Sequence, residues 1–301
     1  MDFSKIPVVI LFIVSLICCI ASNTSKAYYI KREMKGEREQ YSLNAGMSIV
    51  CALTLFLLSG CSLKASWYSV LLGFIFGVIT MGSSIFQAKA IKIGPFGYTS
   101  VIVNLSTAIT ALSGSLFWKE ELGVFKIIGI VLMIGSFFFA IDTGSDDGKK
   151  ANVKWFSLCL LALLFTSFIG IMQKIHQTSQ YKNEASAFLC VAFLTSAVIS
   201  FVGYVLTKKN ENESKEQHGA TKKWLWFLIT LTICGIGAAG NNVLNLYLSG
   251  VMDTAIFFPI ANGVPLFASL LVSVLVFREK LKRKQLLGMS IGIIAIICLF
   301  I

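Results

Sequence analysis

The chain has 301 residues, of which 56% are hydrophobic and 14% charged, with a mean hydropathy of +0.78 and a formal net charge of +11. Soluble domains carry about 25% charged residues, so this composition excludes an ordinary soluble domain, a disordered chain and a disulfide scaffold. The positive charge sits in short patches between apolar runs, which excludes a nucleic-acid module as well.

Crossing a hydrocarbon layer of ~30 Å takes roughly 20 helical residues at 1.5 Å each. Ten apolar runs of about that length are legible, at 6–29, 41–63, 67–91, 96–118, 122–141, 153–175, 184–206, 224–249, 254–277 and 285–301. None alternates with period two, so helices are expected and a transmembrane β-barrel is disfavoured. The first run is too long for a signal-peptide core and lacks a small-x-small cleavage site, so it reads as a retained helix. All five tryptophans, Trp67, Trp118, Trp155, Trp224 and Trp226, fall at expected helix ends, where an indole keeps its ring buried and its N–H wet. The eight cysteines lie in or beside apolar runs without Cys-x-x-Cys spacing, and the histidines are His176 and His218. Neither a metal site nor a cofactor is expected from that material.

The sequence repeats itself. Placing the run from Leu116 through Trp118, Lys119, Glu120 and Leu122 over that from Leu275 through Phe277, Arg278, Glu279 and Leu281 aligns the glutamates and then Gly129 with Gly288, at a constant offset of 159 residues. The chain therefore reads as a first five-helix repeat at 1–141, a hydrophilic linker at 142–152 and a second five-helix repeat at 153–301. An odd number of helices per copy makes the second copy enter the membrane from the opposite side, so the repeats are inverted.

The fold resembles a known family at this point. A helix, then Trp/Phe-Lys/Arg-Glu-x-Leu, then a Gly-bearing final helix, twice in ten spans, is similar to the EamA branch of the drug/metabolite transporter (DMT) superfamily. Lys26 and Lys174, each closing the first helix of its half, are similar to the same superfamily's pattern. The expectation is an all-α integral membrane protein with ten transmembrane helices in two inverted five-helix repeats, an EamA/DMT-like fold. The resemblance implies a transporter rather than an enzyme, with export more usual than uptake. The small multidrug branch of that superfamily has a first-helix glutamate eight residues before the closing lysine; the matching positions here are Cys18 and Thr166. Proton exchange through a buried carboxylate thus loses its chemical basis.

Equivalent loops of inverted copies lie on opposite faces, and their basic content differs. The loops at 31–40, 208–223 and 278–284 are rich in Lys and Arg, whereas the loop after the fourth run offers Lys119 and Lys126. The positive-inside rule places the rich loops in the cytoplasm, with the protein in the cell membrane and both termini outside.

Polar side chains inside the spans are costly and mark either a site or helix-to-helix hydrogen bonding. In the ninth run Pro259 and Pro265 bracket Asn262, which lies ~13 Å deep counting from Asp253 at the helical rise. Asn104, with Ser106 and Thr107, is its neighbourhood in the fourth run. Asn241 and Asn245 share a face of the eighth run at i, i+4, and Gln87 stands one turn from Ser84 in the third. Asn23 and Lys26 in the first run and Lys174 in the sixth tip into an aqueous vestibule or snorkel to the interface. Asn262, Asn104, Asn241, Asn245, Gln87, Asn23, Lys26 and Lys174 are thus the candidate substrate-binding residues.

No span centre carries Asp or Glu, and no nucleophile with a base lies at membrane depth, which weighs against an intramembrane enzyme. The expected function is secondary, alternating-access transport of a small polar metabolite, an amino acid or related compound that is exported. A non-transporting membrane scaffold is the alternative. The partners expected are that metabolite and the lipid bilayer, without nucleic acid; a homodimer is left open.

Overall fold

A computed structural model describes residues 5–32, 36–94, 96–140, 153–207, 220–277 and 283–300. The linker at 142–152, Glu279, and most of the basic loop positions at 208–219 and 278–282 lie outside the described residues. Among the described residues the chain is helical without a strand. In order the helices are α1 (Val8–Arg32), α2 (Glu37–Leu58), α3 (Trp67–Ile93), α4 (Phe96–Asn104), α5 (Ser106–Trp118), α6 (Val124–Ala140), α7 (Val153–Thr178), α8 (Ala185–Leu206), α9 (Ala220–Val251), α10 (Thr254–Phe277) and α11 (Arg283–Phe300). Among the described residues eight segments are long and apolar enough to cross a membrane, and Val124–Phe139 and Thr254–Ala268 are shorter apolar helices. The outward surface is correspondingly greasy: Val9, Ile17, Leu53, Val131, Val198 and Ile293 are all exposed, as lipid-facing side chains are.

The helices form two compact units, Met1–Met81 with Ser179–Tyr247, and Gly82–Thr178 with Leu248–Ile301. Each unit draws on both halves of the sequence. The first holds α1, α2, α8, the start of α3 and most of α9. Its chief pairing is α2 with α8, where Cys190 Sγ donates to the carbonyl of Ala52 at 3.2 Å. The start of α3 reaches α8 closely because Gly73 and Gly77 have no side chain. A Cβ on either would stand 2.5 Å from the carbonyl oxygen of Phe188 or Ala192, so the Gly-x-x-x-Gly spacing works here as a contact seam. The helix begins with Ser66, whose hydroxyl accepts from Ser69 N–H at 3.2 Å, an N-cap bond. Ser66 in turn gives its own N–H and O–H to Glu184 Oε2, at 2.8 and 2.6 Å.

In the second unit α6 pairs with α11 and α5 with α10. Gly129 admits Leu299 against α6, and Gly292 admits the ring of Phe267 against α11. Trp155, expected at the membrane interface, is 7% exposed. Its indole N–H donates to Thr99 Oγ1 at 2.8 Å, and its ring packs with Ala90 and Cys159. An indole is tolerated in a core where its N–H finds a partner, so Trp155 is a packing residue.

The fourth apolar run is interrupted. α4 stops at Asn104 and α5 starts at Ser106, with Leu105 N–H shared between the carbonyls of Val101 and Ile102. The ninth run, which holds Pro259 and Pro265, stays one helix. At the sequence offset of 159 residues Pro265 matches Ser106, where α5 starts after the interruption, while α10 lacks a backbone N–H donor there.

Candidate functional site

The polar residues of the first unit gather along one face of α1. Ser15, Ser22 and Lys26 are spaced i, i+7 and i+11 and so line up on a helix of 3.6 residues per turn. Facing them, Gly237 and Gly240 let α9 approach the backbone and side chain of Cys18. Midway along the span, the hydroxyl of Ser15 reaches Asn245 Oδ1 at 2.7 Å and Asn241 Oδ1 at 3.0 Å, and Asn245 Nδ2 donates to Asn241 Oδ1 at 3.3 Å. One hydroxyl proton serves one oxygen at a time, so both amides keep hydrogen-bonding capacity beyond the cluster.

About two turns further, Ser22 Oγ donates to the carbonyl of Cys234 while Cys234 Sγ donates to that of Ser22. This reciprocal pair stitches α1 to α9 without any charge. Lys26 Nζ then donates to Asn44 Oδ1 on α2 at 3.2 Å. The belt above it is aromatic: Tyr28 contacts Trp226, and Tyr29 contacts Phe227. Asn23 stands about 100° around the helix from Ser22; it is exposed and bonds only to Cys19 Sγ of its own helix. Asn242 likewise bonds to its own helix, at the carbonyl of Ala238.

The second unit arranges its polar groups differently. Asn262 Nδ2 donates to Thr107 Oγ1 at 3.1 Å, joining α10 to the start of α5 where the fourth run breaks. Thr107 is 2% exposed, and Thr110, one turn on, gives its hydroxyl to the carbonyls of Ser106 and Ser167. Asn104 closes α4 half-buried, and Gln87 on α3 is half-buried; neither hydrogen-bonds another described residue through its side chain. The structure therefore brings Asn262 to the helix break near Asn104, and groups Asn241 with Asn245. Asn23 stands outside the first cluster, and Gln87 joins neither polar group.

Lys174 lies at one end of the second unit with its side chain 7% exposed. Its ammonium pairs with Glu120 Oε1 at 2.8 Å and donates to the carbonyl of Met252 at 2.9 Å. The other oxygen of Glu120 accepts both the N–H and the hydroxyl of Thr254, the first residue of α10. Glu120 thus neutralises a buried cation and caps a helix whose N-terminus favours negative charge. Lys119 makes this geometry, adopting φ 55° after α5 so that Glu120 N–H returns to the carbonyl of Gly114. Gly114 itself leaves the space: a Cβ there would overlap Thr254 Oγ1 and Glu120 Oε2. A second pair at the same end joins Lys126 to Asp253 at 2.7 Å.

Sequence reasoning marked Glu120 only as part of a repeated motif and passed over Ser15 altogether. The first had a signal, a carboxylate repeated in both halves beside a helix end. The second had none, since serines inside apolar runs are common. Among the described residues no group of His, Cys, Asp and Glu could hold a metal ion.

Apolar helices of spanning length among the described residues, tied together by amides, hydroxyls and a buried ion pair, define a multi-pass membrane protein. Residues 7–141, a little under half of the chain, match the family model of the EamA-like transporter family, the same resemblance that the sequence motifs carry. A protein named Probable purine permease 11, from Arabidopsis thaliana, is 23% identical over 254 residues, covering 78% of this chain. The chain spans 63% of the length of that relative. A solved crystal structure has the same fold, with a TM-score of 0.73 and 13% identity, over 97% of this chain and 95% of that one.

Proposed function

We propose that the protein is a secondary transporter of a small polar metabolite in the cell membrane, working by alternating access. In this reading its ten spans are two inverted five-helix repeats, 1–141 and 153–301, joined at 142–152, with the basic loops in the cytoplasm. The observation that carries it is the pairing of helices of like rank: second with second in α2 and α8, fourth with fourth in α5 and α10, fifth with fifth in α6 and α11. Two copies that pack like on like, with an interruption in α4–α5 and a missing N–H donor in α10, are suited to two packings of similar energy. The candidate amides for the polar part of the substrate are Asn241 and Asn245 in the first unit and Asn262, Asn104 and Gln87 in the second. The absence of carboxylates from the described span centres favours a ligand other than an organic cation.

An amino acid or related compound, exported, is the substrate class preferred here. The Arabidopsis relative, by its name, favours a second reading, a purine-like heterocycle. The test is flux into proteoliposomes of the full chain with labelled amino acids and adenine. Saturable uptake of one class that falls with Asn262→Leu or Asn241→Leu supports the reading. Absence of flux for every probe sinks it and favours a scaffold.

A further inference from the structure

We propose that Lys26, together with Asn44, is the subsite that binds an anionic group of the substrate, a carboxylate in the amino-acid reading on which this rests. The two lysines that close the first helix of each half look alike in sequence and differ in partners. Lys174 has its charge met by Glu120 at 2.8 Å and a further N–H taken by a backbone carbonyl. Lys26 has a neutral amide oxygen at 3.2 Å and, among the described residues, no carboxylate within ion-pair distance.

An ammonium carries three N–H donors and no acceptor. One is used by Asn44, so two remain for a ligand. Asn44 spends its oxygen on Lys26, so its NH2 is also available at the same place. Deeper along α1 and α9, Ser15, Asn241 and Asn245 form a neutral cluster that retains both amide donors and carbonyl acceptors and carries no charge. A cation with free N–H donors beside a free amide NH2 selects for an anionic acceptor in the ligand, and a carboxylate gains a charge-assisted bond that its carboxamide does not.

A phosphate-bearing lipid could offer the same chemistry to a lysine near the aromatic belt, and the experiment separates the two. Counterflow is measured in proteoliposomes of zwitterionic lipid with the full chain, using labelled L-amino acids, their matched carboxamides, and adenine. Wild type is expected to favour carboxylates. Lys26→Gln should cut that flux roughly tenfold or more, the size of one lost charge-assisted hydrogen bond, and spare the carboxamides; Lys26→Arg should retain the preference.

Asn44→Asp is the second variant and keeps the lysine. It gives Lys26 an internal carboxylate, as Glu120 does for Lys174, and should abolish the preference in a chain with all its helices intact. The subsite is overturned if wild type moves carboxamides or adenine but not carboxylates, or if both variants leave carboxylate flux within about twofold. It is equally overturned if Lys26→Gln lowers every probe alike and anionic lipid restores them, because the lysine is then a headgroup anchor. Flux of none of the probes by wild type would remove the transport reading itself, and the subsite with it.

Discussion

The two units treat an equivalent lysine in opposite ways. In the second, Lys174 is enclosed, paired with Glu120 and bonded to the Met252 carbonyl, and the carboxylate also caps α10. In the first, Lys26 is hydrogen-bonded to an amide and, among the described residues, has no carboxylate within ion-pair distance. A buried charge with a counter-ion is a fixed structural part, because removing either partner strands the other. A partly buried charge with a neutral neighbour is left able to respond to what arrives. Two lysines in like sequence settings thus differ in environment through the identity of one partner.

The comparison breaks most clearly at the ion pair. Lys174→Met should cost about 3–5 kcal/mol by leaving Glu120 buried and alone, whereas Lys26→Met should cost less than about 1 kcal/mol. Unfolding of the detergent-solubilised full chain measures both, and equal losses would erase the distinction. Glu120→Gln combined with Lys174→Met should recover part of the loss, since no unpaired charge remains.

Gly114→Ala should come next, at about 1–3 kcal/mol for an overpacked contact, because the added methyl displaces Thr254 and the carboxylate together. Gly135→Ala is its counterpart in α6, where a Cβ meets nothing; stability should hold or rise slightly through helix propensity. Lys119→Gly should gain about 1 kcal/mol by relieving a side chain held at φ 55°. A loss instead would mean that the lysine side chain, and not the backbone turn alone, holds Glu120 in place. The smallest effect belongs to Thr107→Val, which removes the acceptor of Asn262 and should cost about 0.6 kcal/mol, the average for interhelical bonds in a membrane.

The apolar runs were legible because hydrocarbon thickness fixes their length. The helix interruption was less so. Two prolines point to α10, yet φ near −65° suits a helix, and α10 continues through both. The break falls between Asn104 and Ser106, side chains that compete for backbone hydrogen bonds. Trp155 read as an interface residue because indoles usually are, and its burial depends on Thr99, far away in sequence. The partners of Lys174 were illegible for the same reason, since a single sequence shows which residues are polar but not which of them meet. The candidate amides were visible as departures from apolarity. Their division into the Asn241–Asn245 cluster and the Asn262–Thr107 bond needed three dimensions.

The turn after α2 has a practical consequence. Cys61 is the exposed one of the eight cysteines, held at φ 58° in the short connection to α3, while the others are buried or half-buried in helices. The native chain thus carries its own reporter of sidedness. A membrane-impermeant maleimide applied to intact cells should label the protein at Cys61 if the 31–40 loop is cytoplasmic, since consecutive connections emerge on opposite faces, and Cys61→Ser should abolish that labelling.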